Sequence, residues 1–406
     1  MAKGKSMAID DTEGSAALAS SVNPTIANWQ AFNEGLPWLG SGEFPLYTDA
    51  RVTGEIELGP YQFLNTVAVS NNKTVKSSIV LRYAFHKTLE HPTFTDTDAS
   101  LYHGGSPPEE LAALASLCLG IRLRAGRSIR RFEPNGDPKG RPEEIGDQVE
   151  PYFRCSSPPV VPSAVNALPP LELIGHLSSL LTMPVSKTNA LIRAARLYQE
   201  ALWLCEAEPA LSWLLLVSAV EAAATQWHTE SGDPIEQLKR SKRDLFDYLQ
   251  GRSDESLLHR VASAFSDTSG ATQKFVKFCL KYGPPPPAKR PVPWAQFNWA
   301  TPSFRKALSK IYDYRSRALH DGRPFPAPMC DSPRSMQGWE APSETMSAIG
   351  VHQSGSTWLK KDVPFHLHIF EYIARSVILE WWKQSAALNV EKSFAGMEQR
   401  QDNHVK

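Results

Sequence analysis

The chain has 406 residues, of which 42% are hydrophobic and 21% are charged, and these fractions are typical of a globular protein with room for two or three domains. Lys and Arg together number 43, as do Asp and Glu, so the charge balance excludes a strongly basic protein that coats nucleic acid, although a local basic groove stays open. The five cysteines are scattered without Cys-x-x-Cys spacing, which argues against a disulfide framework or a zinc ribbon and favours a reducing, cytoplasmic compartment.

The N-terminal residues predict a tail without an export signal. Residues 1–28 begin with a stretch rich in Ala, Ser, Asp and Gly, and they lack the apolar run of a signal peptide, so we expect a disordered tail. The most apolar segment of the chain, Leu211–Ala224, is short and interrupted by serines and a glutamate. Such a segment cannot span a bilayer, so we expect no membrane partner.

Residues 29–153 predict a mixed α+β domain. Arg51–Leu58, Tyr61–Val69 and Ser77–His86 have the alternating or β-branched and aromatic composition of strands. Glu109–Leu119 predicts a short helix because two prolines stand at its start. We expect this domain to sense a trigger ligand or a partner protein, or to select a target.

A basic cluster lies in the same region. Its members are Arg122, Arg124, Arg127, Arg130, Arg131, Lys139 and Arg141. In the sequence only Glu133 and Asp137 offset these charges, so the cluster could follow an RNA backbone. The candidate RNA contacts are Arg127, Arg130, Arg131, Lys139 and Arg141. A solvated charged surface is an equally consistent interpretation.

Residues 154–170 are rich in Pro, Ser and Val, which predicts a semi-rigid linker and a domain boundary.

From residue 171 to 388 the pattern is helical. Lys187–Leu204 has a single apolar face, and Leu211–Trp227 is apolar nearly all round, as expected for the central helix of a bundle, with Glu221 as its exception.

Four further helices complete the predicted bundle. They are Ile235–Leu249, Leu257–Tyr282, Pro302–Leu319 and Phe365–Trp382. Gly322 and Pro324 are expected to stop the third of these, and a polar insertion follows over residues 326–362. Residues 389–406 predict a flexible C-terminal tail. The fold class is therefore α+β, with a β-rich or mixed domain followed by an all-α bundle.

The helix Pro302–Leu319 places Arg315 in the middle of its apolar stripe, at about 100° per residue. The other members of the stripe are Phe304, Leu308, Ile311 and Leu319. A permanently charged side chain there needs a partner. Five residues later His320, whose imidazole is the kind of side chain that serves as a general base or acid, stands at the helix end. This combination favours chemistry on a phosphate.

The segment Arg315-Ser316-Arg317-Ala318-Leu319-His320 has the spacing Arg-x-x-x-x-His. Tyr312 precedes it, and Glu221 stands in the apolar helix upstream. This arrangement resembles the HEPN superfamily, and in particular its Apea-like subgroup, over roughly residues 187–385. Two positions depart from the usual pattern, since Ser316 follows the arginine and Asp321 follows the histidine.

The resemblance implies a metal-independent endoribonuclease without a cofactor, usually a homodimer, of the kind found in bacterial toxin and antiviral defence systems. The RNA 2′-OH would attack its own phosphodiester, with His320 as base or acid and Arg315 on the phosphate oxygens. Glu221 and Asp321 would support them. Tyr314 and Arg317 would contact RNA by stacking and by charge.

Residues five apart on a regular helix point roughly 140° apart, so Arg315 and His320 do not converge by themselves. Convergence requires an unwound helix end near Gly322 or a two-fold dimer that brings two motifs into one cleft.

Each residue also has a structural interpretation. Arg315 could form an ion pair with Glu221 without any catalytic role. Tyr314 could pack in the core, and Arg317 could be an ordinary surface residue. A degenerate HEPN domain that only binds RNA or a partner protein therefore stays open. His366 and His368 are two apart and lack nearby cysteines, so we expect no metal site.

Overall fold

The computed structural model describes residues 22–66, 75–87, 102, 104–143, 151–152, 154–165, 167–227, 234–250 and 255–402. Helices make up 51% of the structure and strands 14%, with the sheet in the N-terminal half and most helices in the C-terminal half. The α+β fold class predicted from the sequence is confirmed. Most of the predicted N-terminal tail and the turn at residues 70–73 lie outside the described residues.

Seven strands form one antiparallel sheet. They are β1 (Gly40–Thr48), β2 (Ile56–Leu58), β3 (Tyr61–Asn65), β4 (Lys76–Phe85), β5 (Arg124–Ala125), β6 (Arg130–Phe132) and β7 (Arg141–Pro142). The order is β2-β3-β4-β1-β6-β7, and β5 also pairs with β1. The strand predicted over Arg51–Leu58 is wrong in its first part, because Gly54 has a φ of +75° that a regular strand does not contain.

The N-terminal helix α1 (Pro24–Asn33) packs on the sheet and on α2 (Pro107–Leu119). The side chains of Asn23 and Thr25 donate hydrogen bonds of 3.0 and 2.7 Å to the buried Glu110 carboxylate of α2. Loss of solvation raises the pKa of Glu110 to about 7. Residues 23–28 are therefore part of the fold, and the prediction that the tail extends to residue 28 is wrong.

Residues 154–170, predicted as a linker, are packed against the helices. Val160 and Val161 are buried, and their backbone N–H groups donate to the Glu206 carboxylate. One continuous cluster of buried side chains includes residues of both halves, and a second, small cluster lies among α5, α6 and α7. The core is therefore not interrupted at the boundary that the sequence predicts, and this segment is not a free spacer.

A 3₁₀ segment, Leu171–Thr182, leads into the helical half. Its helices are α3 (Val185–Leu204), α4 (Pro209–Ala224), α5 (Pro234–Ser241), α6 (Arg243–Gln250), α7 (Glu255–Tyr282), α8 (Thr301–His320), α9 (Ala327–Cys330) and α10 (Leu367–Asp402). The polar insertion contains a hairpin of β8 (Gly350–Gln353) and β9 (Ser356–Leu359). Because α10 continues to Asp402, the tail predicted from residue 389 is helical over most of its length.

Helix α4 lies at the centre of the helical half and packs against α3, α7, α8 and α10. Its Trp213 is fully buried, and the indole ring stacks on Phe325 and Phe370 at centroid distances of 5.3 and 4.9 Å. The face of α10 that packs into the core contains five buried residues: Phe370, Ile373, Val377, Ile378 and Trp381. In the described part of the chain, no helix is both long and apolar enough to cross a membrane.

Candidate active site

Helix α8 contains the Arg-x-x-x-x-His motif and is helical up to His320. Pro302 occupies its first turn, where a missing N–H costs nothing. At the other end the Asp321 N–H donates to the Arg317 carbonyl at 2.9 Å, and Gly322 has a φ of +64°. The stop predicted at Gly322 is therefore confirmed.

The apolar stripe of α8 is shorter than the sequence predicts. Phe304, Leu308 and Ile311 are buried, but Leu319 is 52% exposed. The inward position predicted for Leu319 is wrong because the last turns of the helix extend past the core. Arg315 consequently lies at the edge of the core, with 21% of its side chain exposed.

Arg315 is held by a carboxylate on the neighbouring helix α4. Its Nη2 donates to Glu221 Oε2 at 2.7 Å, and the Tyr312 hydroxyl donates to the other oxygen of Glu221 at 2.7 Å. Burial and the bond to Glu221 raise the pKa of Tyr312 to about 12, so Tyr312 stays protonated as a donor. The pairing of Arg315 with Glu221 expected from the sequence is confirmed, and Tyr312 is an additional member that the sequence did not reveal.

The guanidinium of Arg315 keeps unused hydrogen-bonding capacity. It has five N–H donors, and within the described residues only Nη2 donates, while Nε is buried without a partner. The Tyr312 ring lies 5.5 Å from the guanidinium carbon and covers one face of the group. Arg315 therefore has donors left for a further oxyanion after Glu221 has fixed its position.

His320 is the last residue of α8 and is exposed. Within the part of the chain that the structure describes, no hydrogen bond or ion pair joins its imidazole to another residue. Asp321 is also exposed, and its carboxylate pairs with neither His320 nor Arg315. The support expected from Asp321 is not formed, because this residue ends the helix on the solvent side.

The end of α8 bears on one of the two ways in which Arg315 and His320 could converge, namely an unwound helix end. Because the helix continues through His320, its end is not unwound. Arg315 and His320 are then separated by about 7.5 Å along the axis and by roughly 140° around it. On a regular helix two side chains at this separation point in different directions, so the helix by itself does not aim Arg315 and His320 at one phosphate.

Tyr314 and Arg317 lie on another side of α8. The Tyr314 hydroxyl donates to the backbone carbonyl of Asp362 at 2.7 Å, so its packing interpretation is favoured over base stacking. Asp362 also accepts from Lys310 at 2.9 Å, which fixes the insertion to the helix. Arg317 is exposed, and its guanidinium carbon lies 5.8 Å from the centroid of the Tyr314 ring. The guanidinium is therefore accessible to a phosphate.

The basic cluster of the N-terminal half is largely neutralised. Arg122 is fully buried and paired with Asp49, and Arg124 pairs with Glu200 while lying 4.5 Å from the Trp203 ring. The other ion pairs join Arg130 to Glu43 at 3.6 Å, Arg131 to Glu143 at 2.7 Å and Arg141 to Asp137 at 3.9 Å. The expectation that only Glu133 and Asp137 offset the cluster is wrong, because the sheet brings in carboxylates that are distant in sequence.

Two members of the cluster, Arg127 and Lys139, are exposed and lack an ion pair to any described residue. Of the seven basic residues they are the ones best placed to meet RNA. A continuous basic track over all seven is not present, since the buried and paired members cannot contribute to it.

Sequence reasoning missed a polar stripe on α10. His368, Glu371, Tyr372 and Arg375 follow the spacing i, i+3, i+4, i+7 and line one cavity. The spacing is visible in the sequence, but there His366 and His368 are interpreted only as possible metal ligands. Among the residues that the structure describes, no group of three or more His, Cys, Asp or Glu side chains could hold a metal ion.

Comparison of the chain with family models, with curated proteins and with solved structures gives no match. The resemblance to the HEPN superfamily therefore depends on the motif, on the order of the helices and on Glu221. It stays a prediction.

Proposed function

We propose that this protein is a metal-independent endoribonuclease of HEPN type, acting in the cytoplasm as a bacterial toxin or antiviral defence effector. One observation supports this most strongly. Arg315 is fixed at the edge of the core by Glu221 and keeps free donors, while His320 on the same helix is exposed and unpaired in the described part of the chain. A cation with spare donors and an accessible imidazole are the groups that phosphodiester cleavage needs.

In the proposed reaction, one histidine removes the proton from an RNA 2′-OH. The 2′-oxygen then bonds to the adjacent phosphorus, the bond from phosphorus to the 5′-oxygen breaks, and a second histidine returns a proton to that oxygen. The products are a 2′,3′-cyclic phosphate and a 5′-OH. Arg315 stabilises the extra negative charge on the phosphoryl oxygens.

Two copies of the chain would supply the two histidines. The surface beside the motif suits such a contact, because Leu319 on α8 is 52% exposed and Leu211 on α4 is 42% exposed. Leu214 and Leu215 are half-buried on the face of α4 that leads from Leu211 to Glu221. Exposed apolar residues next to a candidate site favour a homodimer through α4 and α8.

The test is cleavage of total RNA in EDTA by the full chain and by His320→Ala. We expect cyclic phosphate ends from the wild type and none from the variant, with no loss of folding because His320 is exposed. His259→Ala is a matched control, since His259 is also an exposed histidine on a helix, and it should cleave as the wild type does. Equal cleavage by His320→Ala would remove His320 from the mechanism.

The second candidate is a binding module without catalysis. The ion pair between Arg315 and Glu221 favours it, because a structural arginine would make the same contact. A binding module would retain RNA affinity in His320→Ala and would produce no cyclic phosphate ends.

A further inference from the structure

A cavity of about 260 Å³ lies where the end of α2 meets α10. Helix α10 contributes the polar stripe of His368, Glu371, Tyr372 and Arg375. The remaining walls are mostly apolar and are formed by Leu119, Pro287, Pro291, Pro342 and Ile369. An apolar cavity with a few convergent polar groups is the usual form of a small-molecule site.

The polar groups of the cavity are fixed in place. Glu371 is buried and accepts a 2.5 Å hydrogen bond from Tyr198, and burial raises the pKa of its carboxyl. Arg375 donates from Nε to the Leu117 carbonyl at 2.8 Å and from Nη2 to the Cys118 carbonyl at 2.5 Å. A ligand would therefore meet a site that needs little rearrangement.

His368 contributes an unsatisfied polar atom. Its Nδ1 is buried and has no hydrogen-bond partner within the described residues. Burial and the neighbouring His366 lower the pKa of His368 to about 3, so the imidazole is neutral at pH 7. A buried ring nitrogen without a partner is costly, and a neutral imidazole can either donate to a ligand or accept from it.

The charges around the cavity balance. Arg375 faces the charge of Glu371 on the same helix, Glu344 also lines the cavity, and Lys289 is exposed to solvent. Glu344 is already paired with Arg290 at 2.7 Å. Because each of these two carboxylates already has a cation, a ligand with a net charge would find no uncompensated buried charge to bind, so the lining favours an uncharged molecule. The volume is just under the roughly 300–1,000 Å³ range of drug-sized sites, which limits the ligand to one small ring system.

We propose that this cavity binds a small, uncharged, planar heterocycle of one or two rings. The flat body would lie against the prolines and Ile369, and a ring nitrogen or N–H would form a hydrogen bond with His368. The site is distinct from the Arg315 cluster and does not depend on RNA cleavage. Because its walls come from α2 and α10, a bound ligand would join the sheet half to the helical half.

The test is calorimetric titration of the full chain with two neutral probes, adenine and benzimidazole, and two charged ones, benzoate and benzamidine. We expect the neutral probes to bind at least about tenfold more tightly than the charged ones. His368→Phe keeps a planar ring but removes the nitrogens, and it should weaken binding of the neutral probes by about tenfold. Lys277→Ala, at an exposed residue of α7 outside the cavity, should leave that binding within about twofold.

A second variant keeps the test independent of the histidine. Ala341 lines the cavity from a loop, so Ala341→Trp should fill the space without disturbing a helix, and it should abolish binding. Absence of saturable binding of both neutral probes up to about 10 mM would overturn the proposal. Unchanged binding in Ala341→Trp, or tighter binding of benzoate than of adenine, would overturn it as well.

Discussion

Two carboxylates illustrate how single residues are used differently in this molecule. Glu221 is 23% exposed and divides its two oxygens between Arg315 and Tyr312, so it positions a cation at the edge of the core. An ion pair with that exposure contributes at most about 1 kcal/mol to stability, so its main effect is to fix the position of the Arg315 guanidinium. Glu110 is buried, and its partners Asn23 and Thr25 are uncharged.

Glu110 should give the protein a measurable pH dependence. Because its folded-state pKa is raised to about 7, the folded protein binds this proton more tightly than the unfolded chain does. Its contribution to stability is therefore complete below the ordinary carboxyl pKa of about 4.3 and is lost as the pH rises to about 7. We expect Glu110→Gln to remove a slope worth at most about 4 kcal/mol over that range, measured by urea unfolding at several pH values.

The contribution of Glu110 must be measured as the difference in the free energy of unfolding between Glu110→Gln and the wild type, because other groups also change the stability in this pH range. Burial lowers the pKa of His366 to about 4 and that of His368 to about 3. These two histidines contribute stability that is lost as the pH falls, which is the opposite slope in the same window. Identical pH profiles for the wild type and Glu110→Gln would contradict the assignment to Glu110.

At the scale of elements, α10 closes the C-terminal end of α2. The last carbonyls of a helix have no partner of their own, and Arg375 supplies two donors to the carbonyls of Leu117 and Cys118. The Gly120 residue that ends α2 has a φ of +69°, and a Cβ there would lie 3.0 Å from the Arg375 guanidinium carbon. The positive φ favours glycine for the turn, and a larger residue would also require the Arg375 guanidinium to shift by a few tenths of an ångström.

Removing this cap should be costly. Arg375→Ala leaves two carbonyls unpaired and removes the positive charge that acts on the buried Glu371, so we expect a loss of about 3 kcal/mol in the free energy of unfolding. Arg375→Lys retains the charge and one donor and should lose less. Chemical denaturation measures both variants, and equal stability of Arg375→Ala and the wild type would show that water replaces the cap.

The helices followed from the sequence more completely than the sheet did. In α3, α7, α8 and α10, apolar residues recur about every 3.6 positions and mark one buried face. This pattern is a property of each helix alone and does not depend on how the neighbouring elements are arranged. Strand β1 was missed because Gly40, Gly42 and Pro45 are poor strand formers, yet it lies between β4 and β6. Its place depends on partners distant in sequence, including Phe85, which pairs with Gly40.

Part of the candidate site could also be predicted from the residue pattern within a single helix. Glu221 stands alone in an apolar helix, so its pairing with Arg315 could be expected from the sequence. The bond from Tyr312 and the exposure of Leu319 depend on where α8 crosses α4, and no pattern within one helix contains that information. The cavity beside α10 is formed by segments distant in sequence and was likewise invisible.

At the scale of the whole molecule, activity should depend on assembly. If two copies meet through α4 and α8, Leu319→Glu places a charge in the contact, and we expect a mass of one chain by light scattering and loss of RNA cleavage. Leu257→Glu is the matched control, because Leu257 is 45% exposed near the first residue of α7, outside α4 and α8, and should change neither property. A variant at Leu319 that stays dimeric and active would place the interface elsewhere.

The bond from Arg375 to the Cys118 carbonyl spans 257 residues of chain, and this separation has a consequence for biosynthesis. At ordinary translation rates of about 5–20 residues per second, α2 leaves the ribosome roughly 13 to 50 seconds before α10 can reach it. During that interval the apolar faces that α10 and the other late helices cover are open to solvent. The nascent chain is therefore expected to need a chaperone until its last long helix has been made, although each strand of the sheet is complete early.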